Sequence, residues 1–140
     1  MPQDGIMFSL KEMLDLGQRV VVIYPSAAGM ESFLWPSQYC PNPWPNTMKL
    51  EILTDYLNQG LEGRDSNWLF VSQGILTPTV GTVALHPFST LEKTVCRPCN
   101  NFLEAWIKSK EVWEKTPNIV ICDFPENNSL SQSIVEINFK

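Results

Sequence analysis

The sequence predicts an α/β protein with a sheet of parallel strands and helices on its outside. Three short apolar runs rich in β-branched residues carry this prediction: residues 19–24, 68–73 and 118–124. Continuous apolar runs without polar alternation are typical of strands buried on both faces of a parallel sheet. Segments with helical periodicity separate the runs, and this alternation of helix and strand is the rhythm of an α/β fold.

The first helix and the first strand are predicted close together. Residues 8–16 form an amphipathic segment in which Ser9 and Glu12 have the spacing of a capping box, and Gly17 follows as a terminator. The apolar run 19–24 comes next and is the first predicted strand, which we expect to be buried on both faces.

A proline-rich stretch and a second helix follow. Residues 26–47 contain four prolines and two tryptophans, with a short strand predicted over residues 33–35. We predict a helix over residues 46–58, with its first residue, an asparagine, as the N-cap. Gly60 and Gly63 then act as helix terminators.

The second half of the chain repeats the alternation. A buried strand is predicted over 68–73, followed by an irregular stretch over 79–90. A helix is predicted over 98–110, because a proline is favoured in the first helical turn. The apolar strand 118–124 comes after it, and a last helix opens at 127–129.

Polar side chains at three strand ends are the candidate functional residues: Tyr24, Gln73 and Asp123. Neighbouring parallel strands place their carboxyl ends on one rim, where ligands bind in α/β sheets and barrels. Asp123 there could orient a catalytic histidine or act as an acid or base itself. The structural alternatives are that Asp123 caps a turn and that Gln73 bonds to a loop backbone.

The remaining reactive residues point more weakly to a function. His86 is the only histidine of the chain and lies in a loop, so two histidines cannot act together within it. Cys96 and Cys99 form one isolated C-x-x-C pair, which cannot complete a zinc site without two further ligands. We expect structural thiols, with redox work by this pair as the alternative.

Composition and charge restrict the class of partner. The chain has 140 residues, a net charge of −5 and no cluster of lysine and arginine, so we expect no nucleic-acid partner. No apolar run reaches the length of a transmembrane helix, and no basic and apolar leader resembles a secretory signal. We therefore expect a cytoplasmic protein whose cysteines are reduced.

Several stretches resemble the PI-PLC X domain-containing proteins, which are small animal relatives of phosphatidylinositol-specific phospholipase C. The stretches are residues 17–24 (Gly-Gln-Arg-Val-Val-Val-Ile-Tyr), 33–36 (Phe-Leu-Trp-Pro), 43–47 (Pro-Trp-Pro-Asn-Thr), 70–73 (Phe-Val-Ser-Gln), 76–78 (Leu-Thr-Pro), 103–107 (Leu-Glu-Ala-Trp-Ile), 118–124 (Asn-Ile-Val-Ile-Cys-Asp-Phe) and 134–138 (Ile-Val-Glu-Ile-Asn). The Leu-Trp-Pro and Pro-Trp-Pro-Asn-Thr elements are the most specific of them.

The resemblance implies a TIM-type (β/α) barrel and a phosphoric diester hydrolase of lipid metabolism. Such enzymes use the inositol 2-hydroxyl as nucleophile and two histidines as base and acid. A full barrel takes roughly 250 residues, so residues 1–140 would be the second half of a PI-PLC X-type domain. The histidine pair, and the arginine or calcium ligands around it, would lie in the first half.

The resemblance also assigns roles to the candidate residues. Asp123 corresponds to a histidine-orienting acid, while Tyr24 and Gln73 would face the inositol or phosphate of a phosphoinositide head group. The chain itself supplies no metal ligand set and needs no cofactor, and calcium for the intact domain stays undetermined. Alone, the chain should be inactive.

Two alternatives stay open beside this hypothesis. A half barrel has unpaired edges at the first and last strands, and such edges favour pairing with another chain. The chain would then self-associate or act as a non-catalytic interaction module. The other alternative is an unrelated α/β protein that uses Cys96 and Cys99 for redox chemistry, which requires a thiol with a lowered pKa.

Overall fold

The computed structural model describes residues 9–25, 34–109 and 115–137. In chain order the elements are α1 (Leu10–Asp15), β1 (Ile23–Tyr24), β2 (Trp35–Pro36), α2 (Leu50–Gly63), β3 (Val71–Gln73), α3 (Val80–Leu85), α4 (Arg97–Ile107), β4 (Ile119–Ile121) and α5 (Leu130–Ile137). Two 3-10 turns, Ser37–Tyr39 and Pro125–Asn127, and a π-helical turn, Glu92–Cys96, complete them. The mixture of helices and short parallel strands agrees with the predicted α/β class.

The described strands form two separate parallel pairs. β1 pairs with β2, with Ile23 opposite Trp35, and β3 pairs with β4. In the second pair Val71 lies opposite Ile119. The predicted parallel pairing is therefore present, but the described strands do not join into one continuous sheet.

A proline-rich segment, residues 41–47, lies along the free edge of β3. The backbone N–H of Val71 donates to the carbonyl of Pro41 at 2.9 Å, and that of Thr77 donates to the carbonyl of Thr47 at 2.8 Å. The backbone N–H of Phe70, the residue before Val71, instead donates to the side chain of Asn118, just before β4. The proline-rich segment and β4 therefore lie on opposite edges of β3. Prolines have no N–H to donate, so the segment cannot extend the regular sheet.

The strands are shorter and more exposed than the sequence predicted. The run 19–24 is a strand only over Ile23–Tyr24, both residues are exposed, and Val20 keeps 78% of its surface. The expectation of a strand buried on both faces is wrong here, because edge pairing with β2 covers neither face. In the run 118–124 the strand spans only Ile119–Ile121, and these three residues are half-buried or exposed.

The core lies between the β3–β4 pair and helices α2, α4 and α5. Its buried side chains are Leu53, Leu57, Leu61, Leu76, Val95, Cys96, Cys99, Leu103, Trp106, Ile107 and Leu130. Leu103 has no exposed surface and occupies the face of α4 that packs on β3. The indole N–H of Trp106 donates to Asn58 Oδ1 at 2.8 Å, and this bond ties α4 to α2.

The first helix begins and ends as predicted. Ser9 accepts a hydrogen bond from the backbone N–H of Glu12, and the Glu12 carboxylate accepts one from the backbone N–H of Ser9. Gly17 follows with a φ of 71°, which is a left-handed conformation that glycine adopts without a steric penalty. The predicted capping box and terminator are both confirmed.

Helix α2 departs from its prediction at both ends. Its N-cap is Lys49, whereas Asn46, the predicted cap, has a left-handed φ of 46° three residues earlier. The helix also continues through Gly60 to Gly63. Gly60 is needed inside the helix because a Cβ there would lie 2.9 Å from the ring of Phe70.

Residues 79–90 were predicted to be irregular, and this prediction is wrong for helix α3. Thr79 caps the helix by accepting from the backbone N–H of Thr82, and the Thr82 hydroxyl accepts from the N–H of Thr79 in return. Two threonines form this capping box in place of the usual Ser/Thr and Glu/Gln pair. The helix is short because Pro87 follows it closely.

The last two helices begin close to their predicted starts. Pro98 lies in the first turn of α4, which follows directly on the π-helical turn Glu92–Cys96. Asn128 Oδ1 accepts from the backbone N–H of Leu130 at the start of α5. Predicted element ends at Phe8, Phe33 and Lys110 lie outside the described residues. Within the described ranges no helix has the length and hydropathy needed to cross a membrane.

Candidate functional site

Asp123 lies just beyond the carboxyl end of β4 with its side chain exposed. The strand ends at Ile121, and Cys122 and Asp123 continue the chain before the turn at Phe124. Phe124 has a φ of 52°, so the backbone turns sharply immediately after the acid. The residue is exposed, so a partner outside the core can reach its side chain.

Asn100 on α4 fixes the backbone of this turn. Its Nδ2 donates to the carbonyl oxygens of Asp123 at 2.8 Å and of Phe124 at 3.0 Å. The side chain is only 1% exposed, so both bonds are shielded from water. Sequence reasoning missed this residue. The available signal was an asparagine on the apolar stripe of α4, three residues before Leu103, where a buried amide needs partners.

Gln73 ends β3 at the same end of the sheet as Asp123. Gln73 lies opposite Ile121 in the parallel register, and Ile121 is two residues before Asp123 in the chain. Its Nε2 donates to the carbonyl of Asn42 at 2.6 Å. The bond to a loop backbone, one of the two sequence interpretations, is therefore present, and the amide oxygen is the group left for a ligand.

Tyr24 is at the end of the other strand pair. It lies opposite Pro36, and the residue is 52% exposed. Among the described residues no hydrogen bond or ring contact joins Tyr24 to Gln73 or Asp123. The structure thus brings two of the three predicted residues to one rim and leaves Tyr24 in a separate sheet.

The cysteines beside Asp123 are protonated structural thiols. Burial raises the pKa of the Cys99 thiol to about 12, and its Sγ donates to the carbonyl of Gly74 at 3.4 Å. Burial, with the Asp123 carboxylate nearby, also raises the pKa of Cys96 and Cys122. The redox alternative required a lowered thiol pKa, and the raised pKa of these thiols argues against it.

The region between the cysteines and the acid is closely packed. The space bounded by Gly74, Leu76, Cys99, Asn100 and Asp123 leaves no room for a water-sized molecule. Within the described ranges no group of three histidine, cysteine, aspartate or glutamate side chains could hold a metal ion. Any reacting molecule at this rim must therefore approach Asp123 from outside.

The described hydrogen bond of His86 is local to the end of α3. Its Nδ1 lies 2.9 Å from the carbonyl oxygen of Thr82, within its own helix-terminal turn, and the residue is exposed. The prediction that His86 lies outside regular secondary structure, beside Pro87, is confirmed. No described contact joins it to Asp123.

Paired parallel strands, outer helices and an exposed acid at a strand end define the chain as an α/β protein with a candidate supporting acid.

The mouse PI-PLC X domain-containing protein 3 is 33% identical over 133 residues, which are 94% of this chain and 41% of that protein. Its human counterpart is 32% identical over the same shares. The mouse PI-PLC X domain-containing protein 2 is 32% identical over 107 residues, 76% of this chain and 32% of that protein.

The chain belongs to the family of PI-PLC X domain-containing proteins, as the resemblance implied. It spans about two fifths of the length of the type 3 relatives and matches their C-terminal portion. No family model matches the chain. No solved structure matches it either.

Proposed function

We propose that this chain forms the C-terminal part of a phosphatidylinositol-specific phospholipase C-type domain, a phosphoric diester hydrolase of lipid metabolism. In this proposal β1–β4 are successive strands of a TIM-type barrel, and Asp123 orients a histidine supplied by the preceding part of the domain. The observation that carries the proposal is the exposed carboxylate of Asp123 at the carboxyl end of β4, in a chain of this family.

The chemistry requires residues that this chain does not contain. Phosphodiester cleavage by two histidines needs one as general base and one as general acid. The sequence has one histidine, and His86 is already bonded to its own helix. We therefore propose that the chain alone does not turn over phosphatidylinositol, and that any calcium ligands also lie in the preceding part.

Asp123 acts in this proposal as a positioning residue rather than as a reacting group. An aspartate bonded to one imidazole nitrogen fixes the tautomer and the ring orientation of a catalytic histidine. The turn held by Asn100 fixes the backbone from which the carboxylate projects. Gln73 through its amide oxygen, and Tyr24 through its hydroxyl, are proposed to contact the inositol or phosphate.

An exposed apolar segment after β3 supports a lipid substrate. Residues 77–91 contain no Asp, Glu, Lys or Arg, and three large apolar side chains in it are almost fully exposed. These are Val80 at 89%, Leu85 at 80% and Phe88 at 103%. Exposed apolar patches without charge suit contact with hydrocarbon rather than with water.

The free, unbridged cysteines agree with the proposed cytoplasmic location.

A chimera tests the assignment. This chain would replace the matching C-terminal portion of the mouse PI-PLC X domain-containing protein 3, and hydrolysis of phosphatidylinositol vesicles would be measured. We expect turnover by the chimera and none by the chain alone. Turnover by the chain alone would contradict its proposed inactivity. If the mouse protein hydrolyses phosphatidylinositol in the same assay and the chimera does not, the assignment of this chain to the C-terminal part of such a domain would be contradicted.

Substitution of Asp123 tests its role. In the chimera, Asp123→Asn should lower kcat by about 100-fold or more, with a smaller effect on KM, because a disoriented histidine reacts poorly. The pH dependence of kcat should shift as well, because the carboxylate no longer supports the imidazolium. Glu126→Gln, three residues away and exposed, is the matched control and should leave both quantities unchanged.

The second candidate function is a non-catalytic interaction module. The observation that favours it is the open apolar surface between α1 and β1, where Leu16 is 62% exposed and Val20 is 78% exposed. Such a surface favours self-association or pairing with another chain. Sedimentation velocity should show a dimer that Val20→Lys disrupts. A stable, cooperatively melting monomer would count against this function.

A further inference from the structure

A groove of about 340 Å³ lies at the amino end of β3, the end opposite the one near Asp123. Its apolar walls come from α2, from the proline-rich segment and from the residues leading into β3. The main apolar contributors are Pro41, Pro43, Tyr56, Trp68, Leu69 and Phe70. A concave, mainly apolar space of this size is typical of sites for small molecules.

Packing contacts with neighbouring residues hold the aromatic walls in place. The ring of Trp68 lies edge-on to the ring of Tyr39, with 5.4 Å between ring centroids and an interplanar angle of 87°. Phe70 is 8% exposed and packs so closely on Gly60 that a Cβ there would lie 2.9 Å from it. These contacts fix the walls before any ligand arrives, which lowers the entropic cost of binding.

Arg64 supplies a cation at the edge of this apolar space. Its Nη2 donates to the carbonyl of Thr116 at 2.9 Å, and that bond orients the guanidinium. Its Nε is shielded from water and has no acceptor. No carboxylate in the described ranges forms an ion pair with Arg64. A buried N–H donor without an acceptor is rare in proteins.

Asp65 limits the charge that the groove accepts. Its side chain also lines the groove, and its Oδ1 accepts from the backbone N–H of Asn67 at 2.8 Å. One fixed negative charge beside one positive charge disfavours a dianion such as a phosphate monoester. A single carboxylate remains favourable because its hydrogen bond to a guanidinium is charge-assisted.

We propose that this groove binds a small aromatic monocarboxylate, with its ring between the aromatic walls and its carboxylate on Arg64. The ring stacks or packs edge-on against Trp68 and Tyr56, as aromatic pairs prefer. The groove is built entirely from described residues of this chain and lies at the other end of β3 from Gln73. Its occupation is therefore independent of the proposed phosphodiesterase chemistry.

Titration with naphthoate tests the proposal, with heat of binding as the readout on the full chain. Gly63 lines the groove, and a Cβ added there meets no atom within 4 Å. Gly63→Leu should therefore fold and occupy the groove, weakening naphthoate binding by about tenfold or more. The matched control is Gly81→Leu on α3, where an added Cβ makes only an ordinary contact at 3.7 Å.

A comparison of ligands tests the part played by charge. Naphthoate should bind more tightly than naphthamide and naphthyl phosphate. Arg64→Met should weaken naphthoate by about tenfold and leave naphthamide nearly unchanged, since only the charge-assisted bonds are lost. Absence of naphthoate binding at millimolar concentration, equal binding by Gly63→Leu and the unsubstituted chain, or preference for the phosphate would each overturn the proposal.

Discussion

The side-chain Nδ2 of Asn100 lies 2.8 Å from the carbonyl oxygen of Asp123 and joins the middle of the core to the candidate site. The same nitrogen donates to the next carbonyl along the chain at 3.0 Å. Helix α4 therefore holds the backbone of Asp123 and leaves its carboxylate free. This arrangement is compatible with the proposed role of Asp123 as a histidine-positioning acid.

Loss of this amide should destabilise the chain. Asn100→Leu removes both bonds and leaves two shielded carbonyl groups without a donor, which costs about 1–3 kcal/mol of unfolding free energy. Urea denaturation measures this loss. Asn101→Leu is the matched control because Asn101 is exposed on the same helix. Equal midpoints for Asn100→Leu and the control would contradict the structural role.

Gly74 should tolerate no side chain. A Cβ at this position would lie 2.3 Å from Cδ1 and 2.9 Å from Cγ of Leu103, which has no exposed surface. Because Leu103 is enclosed by the core, it cannot move aside, and Gly74→Ala should lower the unfolding free energy by about 1–3 kcal/mol. Thermal or urea unfolding checks this value.

The control for this prediction is a glycine with open space. Gly63→Ala should be neutral or stabilising by up to about 1 kcal/mol, since alanine favours the helix that glycine weakens. The double variant Gly74→Ala with Leu103→Val should recover part of the loss caused by Gly74→Ala, because a smaller neighbour relieves the overlap. Additive losses in the double variant would exclude the overlap as the cause.

Local signals in the sequence predicted both ends of α1 and the start of α4, although they failed at both ends of α2. The Ser9–Glu12 capping box depends only on residues three apart, so it could be predicted without knowledge of the fold. The α4 helix was predicted from its apolar stripe and from Pro98. The capping box and the position of Pro98 both depend on interactions within one turn of helix, so residues close in sequence supply every partner.

Non-local relationships could not be predicted in the same way. The exposure of Val20 depends on what covers the segment before β1, and an apolar run does not show which residues cover it. The separation of the two strand pairs involves residues 41–47. This proline-rich segment lies beside β3 but does not extend the sheet. The candidate site was half predicted: Asp123 and Gln73 share a rim, while Asn100 was found only in the structure.

Asn118 should be essential for the pairing of β3 and β4. Its Oδ1 accepts from the backbone N–H of Phe70 at 2.9 Å, and its Nδ2 donates to the carbonyl of Trp68 at 3.1 Å. Asn118→Ala should cost about 0.5–1.5 kcal/mol of unfolding free energy, because two backbone groups lose their partner at a site that water can partly reach. Asn67→Ala is the control, since the structure uses Asn67 through its backbone N–H.

Amide hydrogen exchange gives this prediction a local readout. The amide of Phe70 should exchange faster in Asn118→Ala than in the control, because its acceptor is gone. If the amide of Phe70 exchanges equally in both, the side-chain bridge does not contribute to the sheet.

Stability should fall in alkaline solution through Cys99. Burial raises the pKa of this thiol from its ordinary value of 9.0 to about 12, so the unfolded chain ionises first as pH rises. The stabilisation from the neutral buried thiol is complete below pH 9 and decreases as pH rises toward about 12, because the unfolded state releases its proton while the folded state keeps it. Urea midpoints between neutral pH and the alkaline limit of reversible folding measure the decrease. Cys99→Ala should reduce the alkaline slope, whereas Cys40→Ala, which removes a thiol outside this core cluster, should leave most of it. An unchanged slope in Cys99→Ala would show that other groups cause the alkaline loss.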